Sequence, residues 1–255
     1  MSELADLAAR YGTDKGANYL SGYDALFGHL RDGDIRLLEL GVKEGASLFV
    51  WRDYFPRGLI VGLDINAVSL RDPSGRIRVY QGAQQDTDLL DKIARETAPA
   101  GFDIIIDDCS HIGVQARASF WRLFDRHLKN GGVYSVEDWG TGYWDDWPDG
   151  VRYRNRRARY NAALDRFTST LSRLRNHPTF ANLPFARSVV SKLKAAVVKR
   201  QYHSHDFGMV AFVKELVDEV GMGDITKPNL GIAPHRPSKF REMRMSHGQV
   251  LVIKA

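Results

Sequence analysis

The run FDIIIDDCSHIG (residues 102–113) closes an apolar stretch with Asp107 and Asp108, and His111 follows three positions after the second aspartate. A second apolar stretch, GGVYSVED (131–138), closes with Glu137 and Asp138. If the two stretches are neighbouring strands, about 4.8 Å apart, then Asp108, Glu137 and Asp138 converge on one point, provided that the chain turns out of its strand at Glu137. Converging carboxylates repel one another unless a cation joins them, and an all-oxygen set suits Mg²⁺ or Mn²⁺ better than zinc. His111 would share a helical face with Asp108, and an imidazole that titrates near neutrality suits removal of a hydroxyl proton. The structural alternative makes Asp108 or Ser110 a helix cap and leaves Glu137 and Asp138 as solvated loop acids.

A second group of residues suggests a nucleotide-bearing cofactor. The run IRLLELG passes into VKEGAS, so Glu39, Gly41, Gly45 and Ser47 cluster at a strand-to-helix turn, and the next apolar run ends in Asp64, suitably placed for a ribose diol. Small residues at such a turn let the backbone approach a ligand. Gly41 and Gly45 are four apart, and Val42 stands where the dinucleotide pattern requires glycine. Glu39 would repel a pyrophosphate and attract a sulfonium or amino group, so the turn favours S-adenosylmethionine over NAD. Gln84, Gln85 and Asp86, in QGAQQD, are candidates for the adenine edge.

These residues need a frame. Apolar runs at 35–41, 58–65, 76–82, 102–108 and 131–138 alternate with the helical patterns ASLFVWRDYF, DTDLLDKIARETA and QARASFWRLFDRHL. That alternation predicts a doubly wound α/β fold with a mostly parallel sheet, whose ligands bind outside the carboxyl ends of the strands. Two later runs, MVAFVKE (209–215) and QVLVIKA (249–255), are expected to complete a seven-stranded sheet. Leu164, Phe167, Leu171 and Leu174 form one helical stripe, and Val189, Val190, Leu193 and Val197 another, which predicts a helical insertion over the sheet's edge. The expected organisation is a single domain over 1–255: an N-terminal helical cap (1–32), a cofactor and metal core (33–148), a basic helical insertion or lid (149–204) and C-terminal strands (205–255).

Charge is unevenly distributed. Residues 151–204 hold 13 of the 36 Lys/Arg but only one of the 31 Asp/Glu, so this segment carries +12 and the remainder −7. A basic insert on an acidic body implies one specialised surface rather than a nucleic-acid-binding protein. Regular aromatic interleaving is absent from it, and a solvated lid or a homo-oligomer face explains it more economically than polyanion or membrane docking. MSELADLAARYG lacks the basic and long apolar regions of a secretion signal, no run spans a bilayer, and the lone Cys109 forms no internal disulfide, so the cytoplasm is the expected compartment.

Five motifs in order, YGTDKG, LLELGVKEGASLFVWRDYFPRGLIVGLDI, QGAQQD, FDIIIDDCSHIG and YSVEDWGTGYW, resemble the metal-dependent sugar O-methyltransferases of the mycinamicin and macrocin type, over about residues 7–148. The related cephalosporin-hydroxylase-type proteins share much of this pattern. The resemblance implies an S-adenosylmethionine-dependent methyltransferase with a Rossmann-like sheet, acting on a sugar or oligosaccharide acceptor. It implies Asp108, Glu137 and Asp138 as ligands of Mg²⁺ or Mn²⁺, and His111 as general base at the metal-bound hydroxyl. It implies Glu39, Gly41, Ser47, Asp64, Gln84 and Asp107 as contacts to S-adenosylmethionine. Cys109 stands where the family has glycine and Ala83 where it has aspartate. Trp139, Tyr143, Trp144 and Trp147 are candidates for stacking on a sugar face. The competing functions are a hydroxylase of related fold, methylation of a catechol-like hydroxyl, and polyanion or membrane binding through the insert.

Overall fold

The computed structural model describes residues 2–144, 146–176, 184–198, 207–222 and 236–255. Helices α1 (Glu3–Tyr11) and α2 (Ala17–Phe27) precede strand β1 (Arg36–Leu40). Helix α3 (Ala46–Tyr54), β2 (Leu59–Asp64), β3 (Ile77–Gln81), α4 (Thr87–Thr97), β4 (Phe102–Asp107), α5 (Gly113–His127) and β5 (Leu128–Glu137) follow. The described remainder is a 3-10 turn (Trp139–Tyr143), α6 (Pro148–Asn176), α7 (Pro184–Val198), α8 (Gly208–Gly221), β6 (Phe240–Met245) and β7 (Gln249–Lys254).

The seven strands lie in the order β3-β2-β1-β4-β5-β7-β6. β1 to β5 pair in parallel, whereas β7 runs antiparallel to both β5 and β6. Strand order reverses between β1 and β4, so the carboxyl ends of β1, β2, β4 and β5 border the crevice where doubly wound sheets take ligands.

Alternation along the strands divides the core. Leu38, Val61, Ile105 and Tyr134 face α4, α5 and α8 through Leu90, Phe120 and Phe212, while Leu37, Ile60 and Ile104 face α1, α2 and α3 through Leu4, Tyr23 and Trp51. Both faces are covered, which is why the central strands read as unbroken apolar runs.

One expectation is corrected. MVAFVKE is not a strand: it lies in α8, where Met209, Val210, Phe212, Val213 and Leu216 are buried at helical spacing. The seventh strand is instead β6, FREMRM, an edge strand in which Phe240 alone is buried. The insert is helical where described, and α6 packs against α7, the 3-10 turn and α8, the helix that also contacts edge strand β6. Its stripes are only partly covered: Leu171 is buried, whereas Phe167, Val189 and Leu193 are exposed and the Leu174 side chain lies outside the described residues. Among the described residues no helix is long and apolar enough to cross a membrane.

Candidate active site

β4 and β5 end side by side, with Asp107 in register with Val136. The chain leaves β5 after Glu137 through Asp138, which takes a left-handed φ of +50° and starts the 3-10 turn. This is the turn that convergence requires. The cation found among the carboxylates, however, belongs to the protein. Lys15 Nζ lies 2.8 Å from Asp108 Oδ2, 2.8 Å from Glu137 Oε1 and 3.2 Å from Glu39 Oε1. Burial opposes its charge, but Glu137, Glu39 and Asp108 together raise its pKa well above the ordinary lysine value. Burial pushes Glu137 up, against the pull of Lys15. The Tyr23 hydroxyl donates to Glu137 and the Tyr19 hydroxyl to Asp138.

The opposite oxygen of Asp108 faces a different group. His111 Nε2 is 3.7 Å from Asp108 Oδ1 and 3.8 Å from Asp138 Oδ2. One ligand atom from each of Asp108, His111 and Asp138 can be chosen so that all lie within 4.8 Å of one another, a spacing that fits one metal ion. This gathered set differs from the expected one: His111 joins it, while Glu137 Oε1 is taken by Lys15 and Tyr23. Glu137 remains adjacent, bonded to the same ammonium as Asp108.

A cavity of about 640 Å³ runs from this cluster across the carboxyl ends of the strands. Gly41, Ser47, Asp64, Gln84, Asp108 and His111 line it, together with Gly12–Lys15 of the N-terminal segment. Acidic residues Asp14, Glu44, Asp64, Asp108 and Asp138 outnumber Lys15 and Lys43 on its walls, which suits a cationic ligand better than a pyrophosphate. A second cavity, of about 350 Å³, adjoins the first at Asp14, Lys15, Asp108 and Asp138 and is closed by Asn18, Tyr19, Glu137 and His247.

Glu39 and Asp107, expected at the cofactor, stand behind the wall. Glu39 is buried and accepts Ser47 Oγ–H (2.8 Å) and Trp51 Nε1–H (3.2 Å) besides its ion pair with Lys15. Burial raises the Asp107 pKa to about 6, partly offset by hydrogen bonds from Ser119, Gln84 and Tyr134. Asp107 orients Gln84, whose Oε1 accepts the Ser110 N–H at 3.0 Å. Asp64 does reach the wall, yet it already accepts the N–H groups of Val42 (3.0 Å), Lys43 (2.9 Å) and Asn66 (2.9 Å). Its four lone-pair sites leave room for one further donor.

Gly41 also has a role beyond admitting a ligand: a Cβ there would lie 2.1 Å from the Asp108 carbonyl oxygen, and its φ is +82°. The turn is glycine because it abuts the backbone of Asp108 and Cys109. Cys109 does not need the glycine angle of the family pattern; the left-handed residue in this loop is His111, at φ +50°. Burial raises the Cys109 thiol to about 12, so it stays protonated and unreactive. Of the four aromatics expected at a sugar, Tyr143 and Trp144 are exposed, while the Trp139 indole donates to Ser246 O and the Trp147 indole to His111 O.

Lys15, Tyr19 and Tyr23 are the site residues that motif reading missed. YGTDKG was noticed as a motif, but pairing its lysine with acids 93 and 122 positions away requires the fold.

Comparison with known proteins places the chain near a group of methyltransferases. The chain is 43% identical over 152 residues to the mycinamicin VI 2''-O-methyltransferase of Micromonospora griseorubida, a match covering 56% of this chain and 37% of that protein. It is 41% identical over 162 residues to the L-olivosyl-oleandolide 3-O-methyltransferase of Streptomyces antibioticus, covering 58% and 41%. The MycE methyltransferase of the mycinamycin pathway, solved in complex with Mg and SAH, superimposes with a TM-score of 0.68 at 29% identity, over 99% of this chain and 54% of that one. The chain is thus similar to macrolide-sugar O-methyltransferases and has their α/β methyltransferase fold. It spans about two fifths of the length of the curated relatives it matches. No family model matches it.

Proposed function

We propose that the chain transfers a methyl group from S-adenosylmethionine to a sugar hydroxyl with the help of Mg²⁺ or Mn²⁺. The observation that carries this reading is the meeting of Asp108, His111 and Asp138 where the two cavities adjoin: Asp108 and Asp138 line both, and His111 lines the larger. The larger cavity would hold S-adenosylmethionine, with Asp64 and Gln84 toward the nucleoside and the acidic wall toward the sulfonium. The smaller would hold the acceptor, where Asn18, Tyr19 and His247 offer hydrogen bonds to hydroxyl groups. Asp108 and Asp138 would ligate the cation, with Glu137 completing the set and the His111 lone pair left free for the proton.

A bound divalent ion lowers the pKa of a hydroxyl it touches and fixes that oxygen for attack. The residues do the rest. His111 Nε2 takes the hydroxyl proton, and the carboxylates 3.7 and 3.8 Å away offset the charge that the ring gains. Lys15 holds Asp108 Oδ2 and Glu137 Oε1, which leaves Asp108 Oδ1 free for the cation. Alignment of that oxygen with the sulfonium methyl supplies much of the rate.

The test combines calorimetry and turnover. Purified chain is titrated with S-adenosylhomocysteine, then assayed on glycosylated macrolides and free sugars with Mg²⁺, with EDTA, and with Mg²⁺ restored. Binding, chelator-sensitive methylation and recovery support the proposal. Full methylation in EDTA would remove the metal, and failure to bind S-adenosylhomocysteine would remove the cofactor.

A further inference from the structure

We propose that Trp147 and Asp149, at the root of the basic helical insert, are positioning residues that hold His111 in its working geometry; the proposal rests on the role given to His111 above. His111 has a left-handed backbone, a conformation that a side-chain-bearing residue keeps only when its surroundings impose it. The imposing groups come from one short segment. The Trp147 indole N–H donates to the His111 carbonyl at 3.1 Å, the Thr141 hydroxyl donates to it at 3.3 Å, and the Trp147 and His111 ring centroids are 6.0 Å apart.

Two residues beyond His111, helix α5 begins at Gly113, and its N–H donates to Asp149 Oδ2 at 2.7 Å. The same oxygen accepts the Met209 N–H, at the start of α8, at 2.8 Å. One carboxylate, 1% exposed, therefore binds the free amino-terminal N–H groups of two helices, where helix dipoles favour negative charge.

The junction has no slack. A Cβ on Gly113 would lie 2.1 Å from the Gly208 carbonyl carbon, one on Gly208 2.6 Å from Asp149 Oδ2, and one on Gly150 1.7 Å from the Trp144 carbonyl oxygen. Asp149 is the second residue of α6, the helix that carries the first part of the basic insert. The placement of that helix and the backbone angle of His111 are thus set by the same two side chains. A shift of α6 when an acceptor docks would pull directly on the His111 carbonyl and on the α5 start. This makes the insert a device for aligning the base and not merely a cover.

The experiment compares Trp147→Phe, Asp149→Asn and Asp149→Ala in the wild-type and His111→Ala backgrounds, with kcat, KM and the His111 ring resonances as readouts. The ring resonances are assigned by their loss in His111→Ala and recorded with S-adenosylhomocysteine and Mg²⁺. Trp147→Phe keeps the ring and removes one hydrogen bond, so kcat should fall about fivefold to tenfold with KM for S-adenosylmethionine and acceptor within about twofold. The His111 resonances should shift. Asp149→Asn, which retains an oxygen toward both N–H groups, should stay near wild type, and Asp149→Ala should lose more than Trp147→Phe. In the residual turnover of His111→Ala, Trp147→Phe should have no further effect, since its action passes through the missing ring.

Unchanged kcat and unmoved resonances in Trp147→Phe would overturn the proposal, as would an equal loss in both backgrounds, which a purely structural anchor produces. Should His111→Ala turn over normally, the assigned base falls, while the ring resonances still report whether Trp147 holds the side chain. If Asp149→Ala does not fold, the Trp147→Phe results decide.

Discussion

The two ends of the larger cavity both present carboxylates, and they restrain them in different ways. At one end, Asp64 is held by N–H groups of the turn it faces, and behind the wall Asp107 is held by Gln84, Ser119 and Tyr134. Asp64's donors come from its own turn and the adjoining strand end, so that part of the wall is built into the sheet. At the other end, Asp108, with Glu137 and Glu39 behind it, shares one ammonium from a segment 24 to 122 positions away in sequence. That end is complete only when the N-terminal segment docks. The difference teaches that the N-terminal segment supplies a counter-ion as well as a wall, and that the Asp108 end of the cavity depends on it more than the Asp64 end does.

The contrast is broken most severely at its centre. Lys15→Met leaves the buried Glu39 and Glu137 and the half-buried Asp108 without their counter-charge and should cost about 3–5 kcal/mol of stability, read by urea denaturation. The same variant should lose Mg²⁺ binding by calorimetry. His111→Ala should lower kcat by about 10²–10⁴ while S-adenosylhomocysteine affinity stays within about twofold, which separates base from cofactor pocket. Gly41→Ala joins the two ends, since its methyl would strike the Asp108 carbonyl; it should cost about 1–3 kcal/mol and weaken metal and cofactor binding together. Asp64→Asn, whose single carbonyl oxygen can serve the Val42 and Lys43 N–H groups but leaves that of Asn66 without its acceptor, should cost about 1–3 kcal/mol, lower S-adenosylhomocysteine affinity and leave Mg²⁺ affinity unchanged.

The smallest effect concerns acid. Hydrogen bonds from Arg122 outweigh partial burial and, with one from His127, hold Asp91 at about 2, below the ordinary carboxylate value of about 3.9. Its folded pKa is depressed, so its stabilising contribution is complete above pH 4 and is lost as pH falls through about 2. Asp91→Asn should flatten the stability profile in that window alone, measured by denaturation across pH 2–5. Asp91 lies on α4, away from both ends of the cavity, so catalysis near neutrality should be unaffected.

The parallel core was legible because each central strand is buried on both faces and shows as an apolar run. The outer elements were not, for reasons that the residues make plain. MVAFVKE has the β-branched content of a strand, and its helical period emerges only when Leu216 is included, beyond the short window. FREMRM gives no alternation because its exposed edge position leaves only Phe240 buried. At the site, Asp108, His111 and Asp138 could be read from strand ends, since local spacing places them. The inward retreat of Glu39 and Asp107 could not, because direction from a strand end depends on neighbours from other elements. Lys15 was invisible for the same reason: three carboxylates demanded a cation, and sequence offers no means of deciding between an ion and a distant ammonium.

The account stands on a divalent cation that sits beside Lys15 without displacing it. The direct measurement is a crystal grown with Mn²⁺ and S-adenosylhomocysteine and examined by anomalous scattering at the manganese edge. The account predicts one strong peak within ligand distance of Asp108 Oδ1 and Asp138, with Lys15 Nζ still bonded to Glu137. A map without that peak at saturating Mn²⁺, or a peak in the place of the ammonium with Lys15 expelled, would contradict it.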